Sequence, residues 1–179
     1  MPSISDAKIL ILATDGFENS ELFDPRETLM AAGATVHLAS PALDPIQGKK
    51  HDKMGDRIKP DMTLDAVKAS DYDALLLPGG VANPDSLRME PKVIDAIRDF
   101  IHAEKPVAAI CHAPWLLVEA DVVRGKTVTG WPSVRTDLTN AGGNVVDQAV
   151  AEDGFLITSR KPDDIPAFTE ALIEAIERR

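Results

Sequence analysis

Apolar residues enter this chain as short unbroken runs set between segments of helical period. Lys8-Ile-Leu-Ile-Leu-Ala-Thr14 is almost continuously apolar, as a strand covered on both faces of a parallel sheet is. Thr35-Val-His-Leu-Ala-Ser40, Tyr72-Asp-Ala-Leu-Leu-Leu77 and Val107 to Ile110 predict three more strands. Between the first two, Ser20 is a candidate N-cap for a helix from about Glu21 to Ala32, closed by Gly33. Pro25 must then sit in its first turn or displace its start. The resulting βαβ unit implies parallel strands and a right-handed crossover.

Pro41 to Lys59 breaks the pattern. It is polar, with Gly48 and Gly55 as turn points, and predicts a small hairpin or extended excursion. Leu64 to Ala69 predicts a short helix. Val93, Ile94, Ile97, Phe100 and Ile101 fall at helical spacing in a segment from Pro91 to Ala103. Pro114 to Glu119 predicts a helix, Gly125 to Thr129 a short strand, and Pro132 to Ala141 a helix ended by Gly142 and Gly143. Short strands follow at Asn144-Val-Val146, Gln148 to Val150 and Phe155-Leu-Ile-Thr158. A closing helix runs from Pro162 to Arg179, acidic at its start and basic at its end, as the macrodipole favours. The alternation predicts one α/β domain over residues 1–179: a three-layer sandwich around a flavodoxin-like, mostly parallel sheet.

Charge narrows the functional classes. The net charge is −10, from 29 acids against 19 bases. No basic run exists to collect phosphates, so nucleic acid and anionic membranes are unsuitable partners. No apolar run approaches the roughly 20 residues that span a bilayer. The N-terminal residues lack the pattern of a signal peptide. A single cysteine, Cys111, excludes an intrachain disulfide framework and suits a reducing cytoplasm.

That cysteine stands where the chemistry is expected. The strand Val107 to Ile110 ends abruptly, and a helical segment begins at Pro114. A strand–Cys–helix turn lifts the side chain above the sheet edge and aims helix N–H groups at it, which favours a thiolate and later an oxyanion. Ala109 and Ala113 supply the small flanks that such a nucleophile elbow needs. A lone cysteine at a strand end also serves as a small buried hydrophobe, and both readings stay open here.

Functional groups in an open parallel sheet gather beyond the carboxyl ends of the strands. The first strand delivers Asp15 to Glu18 there, the third Gly79 and Gly80, the fourth Cys111. Glu18, if protonated in an apolar mouth, could donate to the sulfur. The alternative for Glu18 is a loop acid or a cap. Gly79 and Gly80, lacking Cβ atoms, let backbone N–H groups face a substrate oxygen, or simply make a turn. His37 reads as a core residue, and His51 and His102 have no ligand-spaced neighbour, so no metal site is expected. Neither a dinucleotide fingerprint nor a Walker motif is present, and no cofactor is expected. A flavin binder remains compatible with the architecture, though aromatics to cover a flavin are few.

Asp15-Gly-Phe-Glu18, Leu77-Pro-Gly-Gly80 and Ala109-Ile-Cys-His-Ala-Pro114 together resemble the PfpI/ThiJ superfamily, whose fold is related to class I glutamine amidotransferase domains. Ala120-Asp-Val-Val-Arg-Gly-Lys126, Asn140-Ala-Gly142 and Thr158-Ser-Arg-Lys-Pro-Asp-Asp164 resemble its PfpI branch. The resemblance implies that Cys111 is the nucleophile, Glu18 the acid hydrogen-bonded to it and His112 its proton shuttle. It makes Gly80 and the His112 N–H the oxyanion hole. It also implies a third, acidic partner for His112 from a neighbouring subunit, with Asp85 the candidate, and hence a homo-oligomer. Trp115 stands where the branch commonly has Gln. With Trp131, it could narrow the site to small groups. The implied function is a cytoplasmic, stress-protective cysteine hydrolase acting on small carbonyl, glyoxal-type adducts of small molecules or glycated substrates. The alternatives are an intracellular cysteine peptidase and a non-enzymatic redox sensor or chaperone using Cys111.

Overall fold

The computed structural model describes residues 2–179. In chain order these form β1 (Lys8–Leu12), β2 (Phe17–Glu18), α1 (Asn19–Ala31), β3 (Thr35–Ser40), β4 (Ile46–Lys50), β5 (Lys53–Ile58) and β6 (Met62–Thr63). Next come β7 (Ala74–Leu77), α2 (Ala82–Leu87), α3 (Pro91–His102), β8 (Val107–Ile110), α4 (Pro114–Glu119) and β9 (Thr127–Val128). The chain ends with α5 (Arg135–Asn140), β10 (Asn144–Val145), β11 (Val150–Asp153), β12 (Leu156–Ser159) and α6 (Ile165–Glu177).

The main sheet has the order β11-β12-β8-β7-β1-β3-β6. All its pairings are parallel except that of β11 with β12. Side chains alternate between its faces, as the pleat dictates. Leu10, Leu12, Leu75, Leu77, Val107 and Ala109 pack with Val93, Ile97 and Phe100 of α3 and Leu116 and Leu117 of α4. Ile9, Ile11, Leu76, Ala108 and Ile110 pack on the other face with Leu22 and Leu29 of α1 and Phe168, Leu172 and Ile176 of α6. The result is the expected three-layer arrangement, with both faces of the central strands dry.

The polar segment after β3 does fold as a hairpin. β4 and β5 pair antiparallel with a register shift between Gln47 and Lys49, and β2 joins β4 in parallel. Asn19 pegs this small sheet to the start of α1: its Nδ2 donates to Asp56 Oδ2 at 3.1 Å, and Asp56 N donates to its Oδ1 at 2.7 Å.

Four elements differ from expectation. Helix α1 begins at Asn19, ahead of Ser20, with Glu18 in the N-cap position at ψ 123°. Pro25 therefore lies inside the helix, where it has no N–H to give the Glu21 carbonyl. The segment after Thr63 forms two 3-10 turns, Leu64–Ala66 and Ala69–Asp71, because it is too short to nucleate an α-helix. The edge strand before β12 is Val150–Asp153, set by the antiparallel register to Leu156–Ser159. Helix α2 was hidden in a stretch whose Asn83-Pro84 reads as a turn.

Phe168 is fully buried under α6 against the sheet. Phe168→Ala should lower stability by about 3–5 kcal/mol, read as a lower urea midpoint with an unchanged slope.

Candidate active site

Cys111 follows the last residue of β8 and takes φ 64°, a left-handed conformation that non-glycine residues seldom adopt. Backbone hydrogen bonds hold it on both sides. Its N–H donates to Ser159 O at 3.0 Å, extending the β8–β12 pairing by one residue, and its carbonyl accepts from Trp131 N at 2.8 Å. The side chain thereby leaves the strand direction and lines a cavity of about 670 Å³ beyond the strand ends. It stays largely enclosed, at 6% exposure. The backbone N–H groups of Gly80 and His112 act on the sulfur in the direction that favours a thiolate.

The carboxyl beside the sulfur belongs to Glu21, not to Glu18. Glu21 is completely buried, and its Oε1 accepts from Gly79 N at 3.0 Å. Glu18 lies at the cavity mouth, where its carboxylate accepts from His51 N at 3.2 Å. The early start of α1 explains the exchange: Glu18 ends up in the N-cap position with its carboxylate turned to the hairpin, while Glu21, nearly one turn in, faces the sheet. The sequence did hold a signal, because Glu21, Pro25 and Leu29 form an i, i+4, i+8 stripe that is buried throughout. A carboxylate in such a stripe calls for a partner.

Burial first, and then the negative charge of Glu18 three residues earlier, raise the Glu21 pKa to about 8. Its second oxygen, Oε2, is buried without a hydrogen-bond partner among the described residues, which disfavours the ionised form. Burial also pushes the Cys111 thiol up, and a Glu21 carboxylate would push it in the same direction. The two groups therefore share one negative charge at most near neutrality. A thiolate forms where Glu21 keeps its proton, and the Gly80 and His112 N–H groups oppose the cost of that charge.

Gly79 and Gly80 make this closeness possible. A Cβ on Gly79 would lie 2.6 Å from Glu21 Oε1 and 2.8 Å from Cys111 Cβ. Gly80 takes φ 80°, and a Cβ there would run into Gly16 O and lie 2.8 Å from Glu18 N. Asn83, unforeseen in the sequence, holds the turn: its Nδ2 donates to Pro78 O and Gly79 O at 2.9 and 3.0 Å, and its Oδ1 accepts from Thr14 N at 2.8 Å. One fully buried amide thus ties the end of β1 to the turn after β7.

His112 does reach the sulfur. Its Nδ1 lies 3.1 Å from Cys111 Sγ, and burial lowers its pKa, so the ring is neutral at neutral pH. Trp131 stacks on the ring at 5.7 Å and lines the cavity, while Trp115 meets it edge-to-face at 5.3 Å. Trp115 is a buttress: its Nε1 donates to Asp137 Oδ2 at 2.9 Å and the Arg88 guanidinium lies over its ring. Asp85, exposed on α2, lines the same cavity and makes no hydrogen bond to His112 within the chain.

The order of these parts along the chain matches a known family. The DJ-1/PfpI family model matches residues 7–175. The chain belongs to the DJ-1/PfpI family. It is 42% identical over 168 residues to protein/nucleic acid deglycase 2 of Escherichia coli (strain K12), covering 92% of this chain and 95% of that one. It is 39% identical over 174 residues to general stress protein 18 of Bacillus subtilis (strain 168), covering 96% and 98%. Among solved structures, Drosophila melanogaster DJ-1beta superposes with a TM-score of 0.85 at 30% identity, covering 97% of this chain and 95% of that one. A two-domain protein from Anabaena variabilis, with DJ-1/ThiJ/PfpI-like and ferritin-like domains, gives 0.91 at 34% identity. The match covers 96% of this chain, which spans 48% of that one. The buried acid, elbow thiol and Gly-Gly turn therefore stand in a DJ-1/PfpI framework.

Glu21 gives stability a distinct pH dependence. The folded protein keeps the Glu21 proton where the unfolded chain has released it, between about 4.5 and 8. Stability from this group is complete below that window and is lost as pH rises through it. Glu21→Gln stays neutral and should lack the decline. Thermal unfolding across that window should show the variant gaining on wild type, by on the order of 4 kcal/mol at the upper end.

Proposed function

We propose that this protein is a cysteine-dependent hydrolase that removes small carbonyl adducts from amines and thiols. The observation that carries the reading is Cys111, held at φ 64° against the buried, proton-bearing Glu21 at the floor of a cavity. The name of the E. coli relative, a protein/nucleic acid deglycase, supports the same class of substrate. A cavity lined by Gly16, Gly80 and Trp131 around Cys111 suits a small reacting group.

For an aminocarbinol formed by methylglyoxal and an amine, the steps balance as follows. The Cys111 thiolate attacks the carbinol carbon and forms a C–S bond as the C–N bond breaks. The departing amine takes the proton held by His112. A proton then moves from the carbinol carbon to the neighbouring ketone carbon through an enediol, converting the enzyme-bound hemithioacetal to a lactoyl thioester. The electron pair stays within the three-carbon unit: one carbon is oxidised and its neighbour reduced. Water hydrolyses the thioester, giving lactate and the free thiol. In this reading the N–H groups of Gly80 and His112, which favour negative charge on the sulfur, also hold the developing oxyanion.

Self-association belongs to this reading. Val81 and Met89, which flank α2 and Asp85, are 57% and 79% exposed, apolar surface of the sort that a second copy covers. A cytoplasmic setting suits a free thiol.

Wild-type protein should release lactate from a methylglyoxal-modified thiol or amine, and Cys111→Ser should lower that rate by roughly 10³-fold or more. Equal release by both proteins would sink the assignment of Cys111, and release by neither would sink the reaction.

A further inference from the structure

His112 has two ring nitrogens and, among the described residues, two hydrogen-bond partners. Nδ1 lies 3.1 Å from Cys111 Sγ, and Nε2 lies 3.4 Å from Ser133 Oγ. We propose that Ser133 is the positioning residue for His112, accepting the Nε2–H so that Nδ1 is presented to Cys111. The proposal rests on reading Cys111 and His112 as the reactive pair.

The chemistry of the ring gives the hydroxyl this part. A neutral imidazole carries one N–H and one lone pair. To take the thiol proton, the lone pair must be on Nδ1, and the N–H must then be on Nε2. Once Nδ1 has taken that proton, both nitrogens are donors, and Ser133 Oγ can only accept. Its contribution is therefore made to the thiolate–imidazolium state. An acid fills this place in Ser-His-Asp triads. Ser133 offers a neutral acceptor from the same chain.

Ser133 is held where this role requires. It lies in the 3-10 turn Pro132–Val134, whose ends are tied down on both sides. Trp131 N donates to the Cys111 carbonyl at 2.8 Å and Val134 N to the Trp131 carbonyl at 3.0 Å. Just beyond, Asp147 joins Arg135 and Arg160 at 2.9 and 3.0 Å, and Arg160 pairs with the buried Asp164. The turn that carries the hydroxyl is thus braced against the end of β12, the strand beside the elbow. Trp131, two residues before Ser133, fixes the ring plane by stacking.

Other titratable groups surround the pair without bonding the ring. They are Glu21 of α1, Glu18 of β2, Lys49 and His51 of the hairpin, and Asp85 of α2. Asp137 and Arg88 reach it only through Trp115. Each can shift a pH profile, so the test compares variants at Ser133 alone.

The test is the rate of Cys111 alkylation by iodoacetamide across pH, on the full chain, with lactate release measured in parallel. Ser133→Ala should slow alkylation near neutrality by about 10-fold, the scale of a lost hydrogen bond to a charged group. It should move the His limb of the profile to lower pH and lower kcat with little change in KM. Ser133→Thr, which keeps the hydroxyl, should restore both. An alanine variant that matches wild type in rate and profile overturns the proposal. So does an equal loss in the alanine and threonine variants, which would mean that the turn's shape matters and its hydroxyl does not. Alkylation needs no substrate, so a failure of the lactate reaction leaves this outcome readable.

Discussion

The site depends on one backbone constraint: an L-residue held at φ 64° where a fully buried strand stops. An ordinary β residue at position 111 would send its side chain into one of the two helical layers. The left-handed turn sends it off the end of the sheet instead. Two backbone hydrogen bonds, to Ser159 and from Trp131, restrain the residue from relaxing. Everything that touches the sulfur is arranged around that direction. Gly79 must lack a side chain because Glu21 and Cys111 close over it, and Gly80 must turn because β2 crosses its back.

The same constraint sets the electrostatics. Lifting a thiol into a nearly dry mouth raises its pKa, and a carboxylate beside it would raise it more. The protein resolves the conflict through protonation. Glu21 is buried so completely that its neutral form is preferred, and a neutral acid offers a donor where an ionised one offers repulsion. Stability and reactivity are coupled here, because the proton that keeps α1 comfortable against the sheet is also what lets the sulfur carry charge.

Much of the framework was legible in the sequence. Continuous apolar runs identified β1, β3, β7 and β8, and the periodic spacing of Val93, Ile97 and Phe100 identified α3. The chain order of those elements brought Cys111 and Gly79-Gly80 to one sheet edge. The acid was misplaced for a local reason. Glu18 is the residue that directly follows the Asp-Gly-Phe turn, and Ser20 is a conventional N-cap, so the helix was expected to start two residues late. What moved it was tertiary: Phe17 and Glu18 pair with the hairpin, and Asn19 bonds Asp56, which fixes the helix start from outside. Asn83 and Ser133 were invisible for a related reason. Each works through partners distant in sequence, and neither residue type is unusual in a turn.

The hairpin of β4 and β5 forms one wall of the cavity, and it is joined to the rest of the protein by β2, Asn19, the buried Ile46 and the bonds of Gln47 to the Asp15-Gly16 turn. Its outward residues, among them Lys49, Lys50, His51 and Lys53, are exposed and contribute almost nothing to either apolar layer. Chemistry and recognition are therefore built on different parts of the chain. Substitution of those exposed residues would redraw the entrance while Ile46, Gly48 and Asp56 keep the start of α1, and the elbow beneath it, in place. A fold divided this way can diversify in what it admits without relearning how to react.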